Sequence, residues 1–188
     1  RDTGMKKTAV INIVGLTQQL LGSSATPFLN QWIEKKHISS IKPMLPSVTC
    51  SVQATYLTGK WPNEHGIVGN GWFHKDLQEI KFWHQSNKLV KSPFIWDEIR
   101  KKHPKFSVAN MFWWFNMYST ANYSVTPRPQ YRSDGRKIPD CYSVPSNIRD
   151  KLQNDLGTFP LFDFWGPKSS IKSSQWIAEA SLKVHEWH

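Results

Sequence analysis

Residues Pro46 to Trp72 read PSVTCSVQATYLTGKWPNEHGIVGNGW and place a hydroxyl, Thr49, directly beside a thiol, Cys50. Four glycines, a single histidine (His65) and Asn70 follow, with little charge between them. The run after Thr49 is helix-like and stops at a Thr-Gly pair, so Thr49 is expected at a helix N-terminus. Free backbone N–H groups and the helix dipole favour an anion there. A threonine oxygen is a weak nucleophile at its own pKa and needs a base or a cation to activate it. The chemistry this suits is attack on phosphorus. From position alone an ordinary N-cap is the better account of Thr49, since Ser and Thr are common caps. Cys50 offers a rival nucleophile, because thiol pKa values fall at helix N-termini. The sequence sets no base beside it, so it ranks below Thr49.

The elements that must carry these residues alternate. Ala9 to Val14 reads as a buried strand. SSATPFLNQWIEKK then has Thr26 as N-cap and Pro27 at the first helical position, with Phe28, Leu29, Trp32 and Ile33 on one face. A helix from Thr49 to near Gly59 follows. KSPFIWDEIRKKH repeats the Ser-Pro entry, with Ile95, Trp96 and Ile99 apolar. Phe106 to Trp114 is long and unbroken, as a strand buried on both faces is. Thr126 to Pro145 is a Pro- and Arg-rich stretch without periodicity; loops of about that length are usually functional. A helix from Ser146 to Leu156 ends at Gly157. FPLFDFWGP is a further strand or an aromatic lid, and a closing helix capped by Ser173 or Ser174 carries Trp176, Ile177, Ala180, Val184 and Trp187 on one stripe. Strands alternating with helices predict an α/β domain, a mostly parallel sheet flanked by helices. A further strand is expected after the last helix, so residues 5–188 read as the N-terminal portion of one such domain, with an irregular loop or lid insertion at about 115–170. Residues 1–4 read as a fusion remnant. A sheet cut short exposes an edge, so self-association is expected.

The 188 residues carry a formal charge of +10, with 24 Lys and Arg against 14 Asp and Glu. Such a balance attracts phosphorylated small molecules, nucleic acid or anionic surfaces. The basic residues are dispersed and no nucleic-acid-binding motif is present, so nucleic acid ranks last as a partner. No stretch approaches the ~20 apolar residues of a membrane span. Two cysteines without CxxC spacing suit a reducing compartment, and the protein is expected in the cytoplasm. His74, His84 and His103 lack the regularity of a metal site. Trp113, Trp114 and Phe115 are read as core. Arg128, Arg132 and Arg136 lie on the irregular stretch; arginine grips phosphate bidentately, and a solvated basic loop accounts for them as well. Asp134 and Asp140 flank them as simple charge partners.

The order Pro46-x-x-Thr49, Thr58-Gly59, Pro62, His65-Gly66-Ile67 and Asn70 resembles the nucleophile region of the alkaline phosphatase superfamily, in its type I phosphodiesterase and nucleotide pyrophosphatase branch. FWHQSN, SVTPRP, DGRKIPD and FWGP extend the likeness, towards a bacterial subgroup, over nearly the whole chain. The resemblance implies an alkaline phosphatase-like core and a metal-dependent phosphodiester or pyrophosphate hydrolase acting through a phosphothreonine intermediate. Thr49 would be the nucleophile, held as an alkoxide by two divalent cations, usually zinc, with manganese as a substitute. Asn70 would donate its amide to a phosphoryl oxygen, with the backbone N–H of Thr49 or Cys50 sharing that load. Arg128, Arg132 and Arg136 would close over the anionic substrate. His65 would structure its loop.

One position departs from the pattern. The first strand of the superfamily usually ends in a metal-binding Asp before Gly, and here Val14 precedes Gly15. Asn12, two residues earlier and on the same strand face, is a weak substitute. The remaining metal ligands are expected outside this portion. The departure keeps open a catalytically impaired relative that binds a phosphorylated metabolite; a basic nucleic-acid-binding module is the last alternative.

Overall fold

The computed structural model describes residues 6–188, so the expected remnant at 1–4 lies outside the described residues. By contacts the chain divides into two compact units, Arg1–Pro43 and Met44–His188.

In the first unit a single helix, α1 (Pro27–Ile33), begins after Thr26 with Pro27 in its first turn, as the sequence predicts. Thr26 does not cap with its side chain: its Oγ1 donates to Leu20 O at 2.7 Å, while Asn30 Oδ1 accepts from Gly22 N at 2.7 Å. The expected apolar face is not buried, with Phe28 and Trp32 both exposed. Ala9 to Val14 forms no strand, a correction to the sequence reading; Val10, Ile11 and Val14 are exposed. A strand needs a neighbour to take its backbone hydrogen bonds, and the described residues of this unit hold no other strand.

The second unit starts with α2 (Thr49–Thr58), which ends on Gly59 in the left-handed region at φ 66°. A turn of helix, α3 (Pro62–His65), closes on Gly66 at φ 81°. A hairpin of β1 (Gly71–His74) and β2 (Glu79–Phe82) follows. Here Gly71 is required by space: a Cβ would sit 2.3 Å from the Phe82 ring. After a 3-10 turn (Asn87–Leu89) comes α4 (Ile95–Lys102), whose Asp97 carboxylate accepts from Phe94 N at 3.1 Å. Trp96 is buried as expected, whereas Ile95 is exposed.

The main sheet has three strands in the order β3 (Ala109–Met111), β4 (Tyr123–Pro127), β7 (Cys141–Val144). β3 and β4 pair in parallel; β4 and β7 pair antiparallel. The expected mostly parallel sheet is therefore corrected: among the described strands one pairing is parallel and the others are antiparallel. The long strand expected over Phe106 to Trp114 shrinks to three residues, and Phe112, next after Met111, leaves the extended region at φ 62°.

The stretch 115–170, expected to be irregular, carries β4, β7, a two-residue hairpin of β5 (Gln130–Tyr131) and β6 (Lys137–Ile138), α5 (Asn147–Leu156) and α6 (Leu161–Phe164). α5 keeps its expected bounds and its stop at Gly157. The last helix, α7 (Ile171–Trp187), starts earlier than predicted, on Ser170, whose hydroxyl accepts from Lys172 N at 3.3 Å. Its stripe of Trp176, Ala180 and Val184 is buried against Val125, Ile148, Leu152 and Phe159. A second cluster packs Cys50, Ala54 and Leu57 of α2 against Ile67, Phe94, Trp96 and Trp114. That cluster seats the N-terminus of α2.

Candidate phosphoryl-binding site

Val48, extended at φ −121° and ψ 162°, is the residue that caps α2, and Thr49 is the first helical residue. The bend is held from below: Ser51 Oγ donates to Pro46 O at 2.8 Å and Val52 N to Val48 O at 3.0 Å. Thr49 is half-buried, and its hydroxyl makes no hydrogen bond to protein among the described residues. An N-cap hydroxyl would bond a first-turn N–H, so capping does not account for this side chain.

Cys50 is 1 % exposed. Burial pushes its thiol up to about 12, so it is protonated at neutral pH and the thiolate rival loses its nucleophile. Its backbone N–H donates to Asn70 Oδ1 at 2.9 Å. Because an N–H donor must face the amide oxygen, the orientation of the Asn70 side chain follows, and Nδ2 is left to donate elsewhere. The backbone of Asn70 is fixed too, its carbonyl accepting from Trp83 N at 2.9 Å. Thr49, Cys50 and Asn70, twenty-one residues apart in sequence, thus meet at one end of one helix.

His65 holds the connection between them. It is fully buried; Ile67 N donates to Nδ1 at 3.1 Å, which leaves the proton on Nε2, 2.9 Å from Thr55 Oγ1. Thr55 passes the chain on to Ser51 O at 2.9 Å. Burial lowers the His65 pKa, so the neutral ring is the native form. Both ring nitrogens are spent inside the protein, in keeping with a loop-structuring residue.

The three arginines stand elsewhere, and no contact joins them to Thr49 or Asn70 among the described residues. Arg128 follows β4, its N–H on Asp140 O at 3.0 Å. Arg132 and Arg136 close the β5–β6 turn, with Arg132 N on Arg136 O at 2.9 Å and Arg136 paired to Asp134 at 2.7 Å. Asp140 is buried and takes Arg149 Nε at 2.6 Å. Burial raises its pKa, but Arg149, Gln130 and the Cys141 N–H outweigh it and pull the carboxyl down to about 2. The His84 pKa is lowered, by burial first and then by the charges of His74, Lys81 and Arg128.

Two contributors escaped the sequence reading. Gln53, one turn along α2 from Thr49, accepts from Trp114 N at 2.7 Å. Trp83, at φ 57°, donates its N–H to Asn70 O at 2.9 Å. The i+4 spacing from Thr49 marks Gln53 in retrospect; Trp83 lies in the FWHQSN segment of the family likeness, but nothing there gives it this contact. For a metal, Thr49 supplies one free oxygen. No three His, Cys, Asp or Glu side chains come together among the described residues. Val14 is exposed in the first unit and has no ligating atom.

A half-buried, unspent hydroxyl at a helix N-terminus beside an oriented amide is an arrangement that can receive an oxyanion. The family model of type I phosphodiesterase / nucleotide pyrophosphatase matches residues 8–187, and the chain belongs to that family. It is 31 % identical over 98 residues to ectonucleotide pyrophosphatase/phosphodiesterase 1 of Saccharomyces cerevisiae, covering 48 % of this chain and 12 % of the relative. It is 31 % identical over 90 residues to a pyrophosphatase/phosphodiesterase of Schizosaccharomyces pombe, covering 47 % of this chain and 18 % of that relative. No solved structure matches it.

Proposed function

We propose that this chain carries the nucleophile of a phosphodiester or pyrophosphate hydrolase. The observation that carries the reading is the free Thr49 hydroxyl beside an Asn70 amide already oriented by Cys50 N–H. Thr49 Oγ1 loses its proton and attacks phosphorus as the leaving oxygen departs with the bonding pair and takes up a proton, forming a phosphothreonine. Water then attacks the same phosphorus, the Thr49 Oγ1–P bond breaks, and the threonine is regenerated. Asn70 Nδ2 donates to a non-bridging oxygen as its charge grows. The substrate is a small phosphorylated molecule; Arg128, Arg132 and Arg136, which no contact joins to Thr49 or Asn70 among the described residues, would serve only a part of it distant from the phosphorus.

Divalent cations, zinc by family resemblance, belong to the same proposal: when bound they supply the positive charge that lowers the pKa of the attacking hydroxyl. Thr49 is the donor proposed among the described residues, and other ligands would have to join it. Two free, buried cysteines support placement in the reducing cytoplasm; no helix of the described residues is long and apolar enough to cross a membrane.

A second reading, a binder of a phosphorylated metabolite, is favoured by Val14 at the position where the family carries a metal-binding Asp. Hydrolysis of bis(4-nitrophenyl) phosphate by the full-length protein separates the two, with zinc or manganese and with a chelator. Expected is metal-dependent turnover that falls roughly 10³-fold or more in Thr49→Ala, at a stability within about 0.5 kcal/mol of wild type because no cap is lost. Wild type and Thr49→Ala equally inert overturns the hydrolase reading and leaves the binder.

A further inference from the structure

The β1–β2 hairpin is a sheet of two strands, and β2 pairs with no other strand among the described residues. Gly71 lies opposite Phe82, Trp72 opposite Lys81, Phe73 opposite Ile80 and His74 opposite Glu79. At the open end Trp83 N donates to Asn70 O at 2.9 Å, which makes those two a hydrogen-bonded pair. Antiparallel pairs alternate between bonded and non-bonded. Lys81 and Glu79 therefore bond to β1, whereas the N–H and C=O of Ile80 and Phe82 point away from it. No turn or loop backbone group gives those four a partner among the described residues.

Ile80 and Phe82 are each 64 % exposed, so this edge is open. An open apolar edge is a template for another strand, and proteins usually blunt it with proline or with unpaired charge. β2 reads EIKF and has no proline. Its two charges have opposite signs, and Lys81 Nζ lies 2.6 Å from the Glu79 carboxylate.

That charge order selects the partner. Two copies of β2 running antiparallel about a two-fold axis at Ile80 set Glu79 opposite the partner's Lys81, and Lys81 opposite the partner's Glu79. The two isoleucines then exchange both of their free backbone hydrogen bonds, and their side chains meet on the face that carries Phe73 and Phe82. Sliding the strands so that Ile80 faces the partner's Phe82 sets lysine against lysine. Sliding them the other way sets glutamate against glutamate, and like charges directly opposite each other are destabilising. A shift by a single residue puts outward-facing backbone groups against inward-facing ones. One register satisfies backbone and charge together, and it is the self-complementary one that a two-fold interface requires.

We propose that the outer edge of β2 is a self-pairing surface through which two copies of this chain associate into one continuous sheet, β1-β2-β2-β1. The proposal goes beyond the phosphoryl-site reading and does not depend on it.

Sedimentation velocity of the full-length protein over about a hundredfold range of concentration is the test. A four-residue edge makes a small interface, so the expected result is a reversible monomer–dimer equilibrium in place of a permanent dimer. Glu79→Lys and Lys81→Glu each oppose like charges at both crossings and are expected to weaken association about tenfold or more. An equimolar mixture of the two variants opposes lysine to glutamate again and is expected to recover the dimer, which also shows that both variants fold. Ile80→Pro removes the N–H at the axis, which the hairpin itself does not use, and is expected to leave a monomer. Wild type that stays monomeric throughout overturns the proposal. So does a dimer unaffected by the charge variants or by Ile80→Pro, and so does a mixture of the charge variants that stays monomeric.

Discussion

The side-chain oxygen of Asn70 lies 2.9 Å from the backbone nitrogen of Cys50 and accepts its hydrogen bond. That contact joins a loop residue to the first turn of α2 and decides the direction of the amide. Thr49, the neighbour of Cys50, then shares a corner with a donor that the protein itself leaves unused.

Asn70→Asp keeps an oxygen for the Cys50 N–H but removes the Nδ2 donor and adds negative charge beside the oxyanion. Turnover of the diester is expected to fall ~10²- to 10³-fold, the range for loss of one oxyanion donor. KM should move far less than kcat, because the donor acts on charge that develops in the transition state. Steady-state kinetics of wild type and Asn70→Asp check this; an equal kcat refutes the assignment.

His65 sets a pH dependence on stability. Its folded pKa is below the ordinary value because of burial. As pH falls below about 6.5 the unfolded chain takes up a proton that the fold refuses, so stability is complete above that pH and declines beneath it, by at most ~1.4 kcal/mol per pH unit. His84 shifts in the same direction and adds to the slope. Urea unfolding midpoints at pH 8, 7, 6 and 5 measure it. His65→Gln should lower stability at pH 8 and flatten the decline; an unchanged slope contradicts a buried neutral ring.

Cys50 is expected to be unreactive in the folded protein. With its thiol at about 12 and the side chain buried, thiol reagents at pH 8 should label it no faster than global unfolding permits. Cys50→Ala retains turnover if Thr49 attacks phosphorus, since the Cys50 N–H that orients Asn70 belongs to the backbone. Loss of turnover in a folded Cys50→Ala would restore the thiol as a candidate.

How far the sequence reaches depends on whether a signal is local. α2 and its stop at Gly59, α5 and its stop at Gly157, and the buried stripe of α7 follow from spacing and terminators within one helix. The order of Thr49, His65-Gly66-Ile67 and Asn70 places the chain in its family, because that pattern is written along one short stretch. Strands are different. Ala9 to Val14 has the composition of a strand and forms none, since pairing depends on a neighbour that no local pattern supplies. Phe112 ends β3 by a backbone angle that its side chain does not announce.

The residue types and their order determine the candidate nucleophile, the helix that presents it and the family. Only the tertiary structure decides that Asn70 turns its oxygen to Cys50, that His65 is spent on Ile67 and Thr55, and that Trp83 bends back to Asn70. The physical reason is that a helix is stabilised by bonds four residues apart, whereas these contacts span from two to twenty residues across separate elements and exist only when packing brings their partners together.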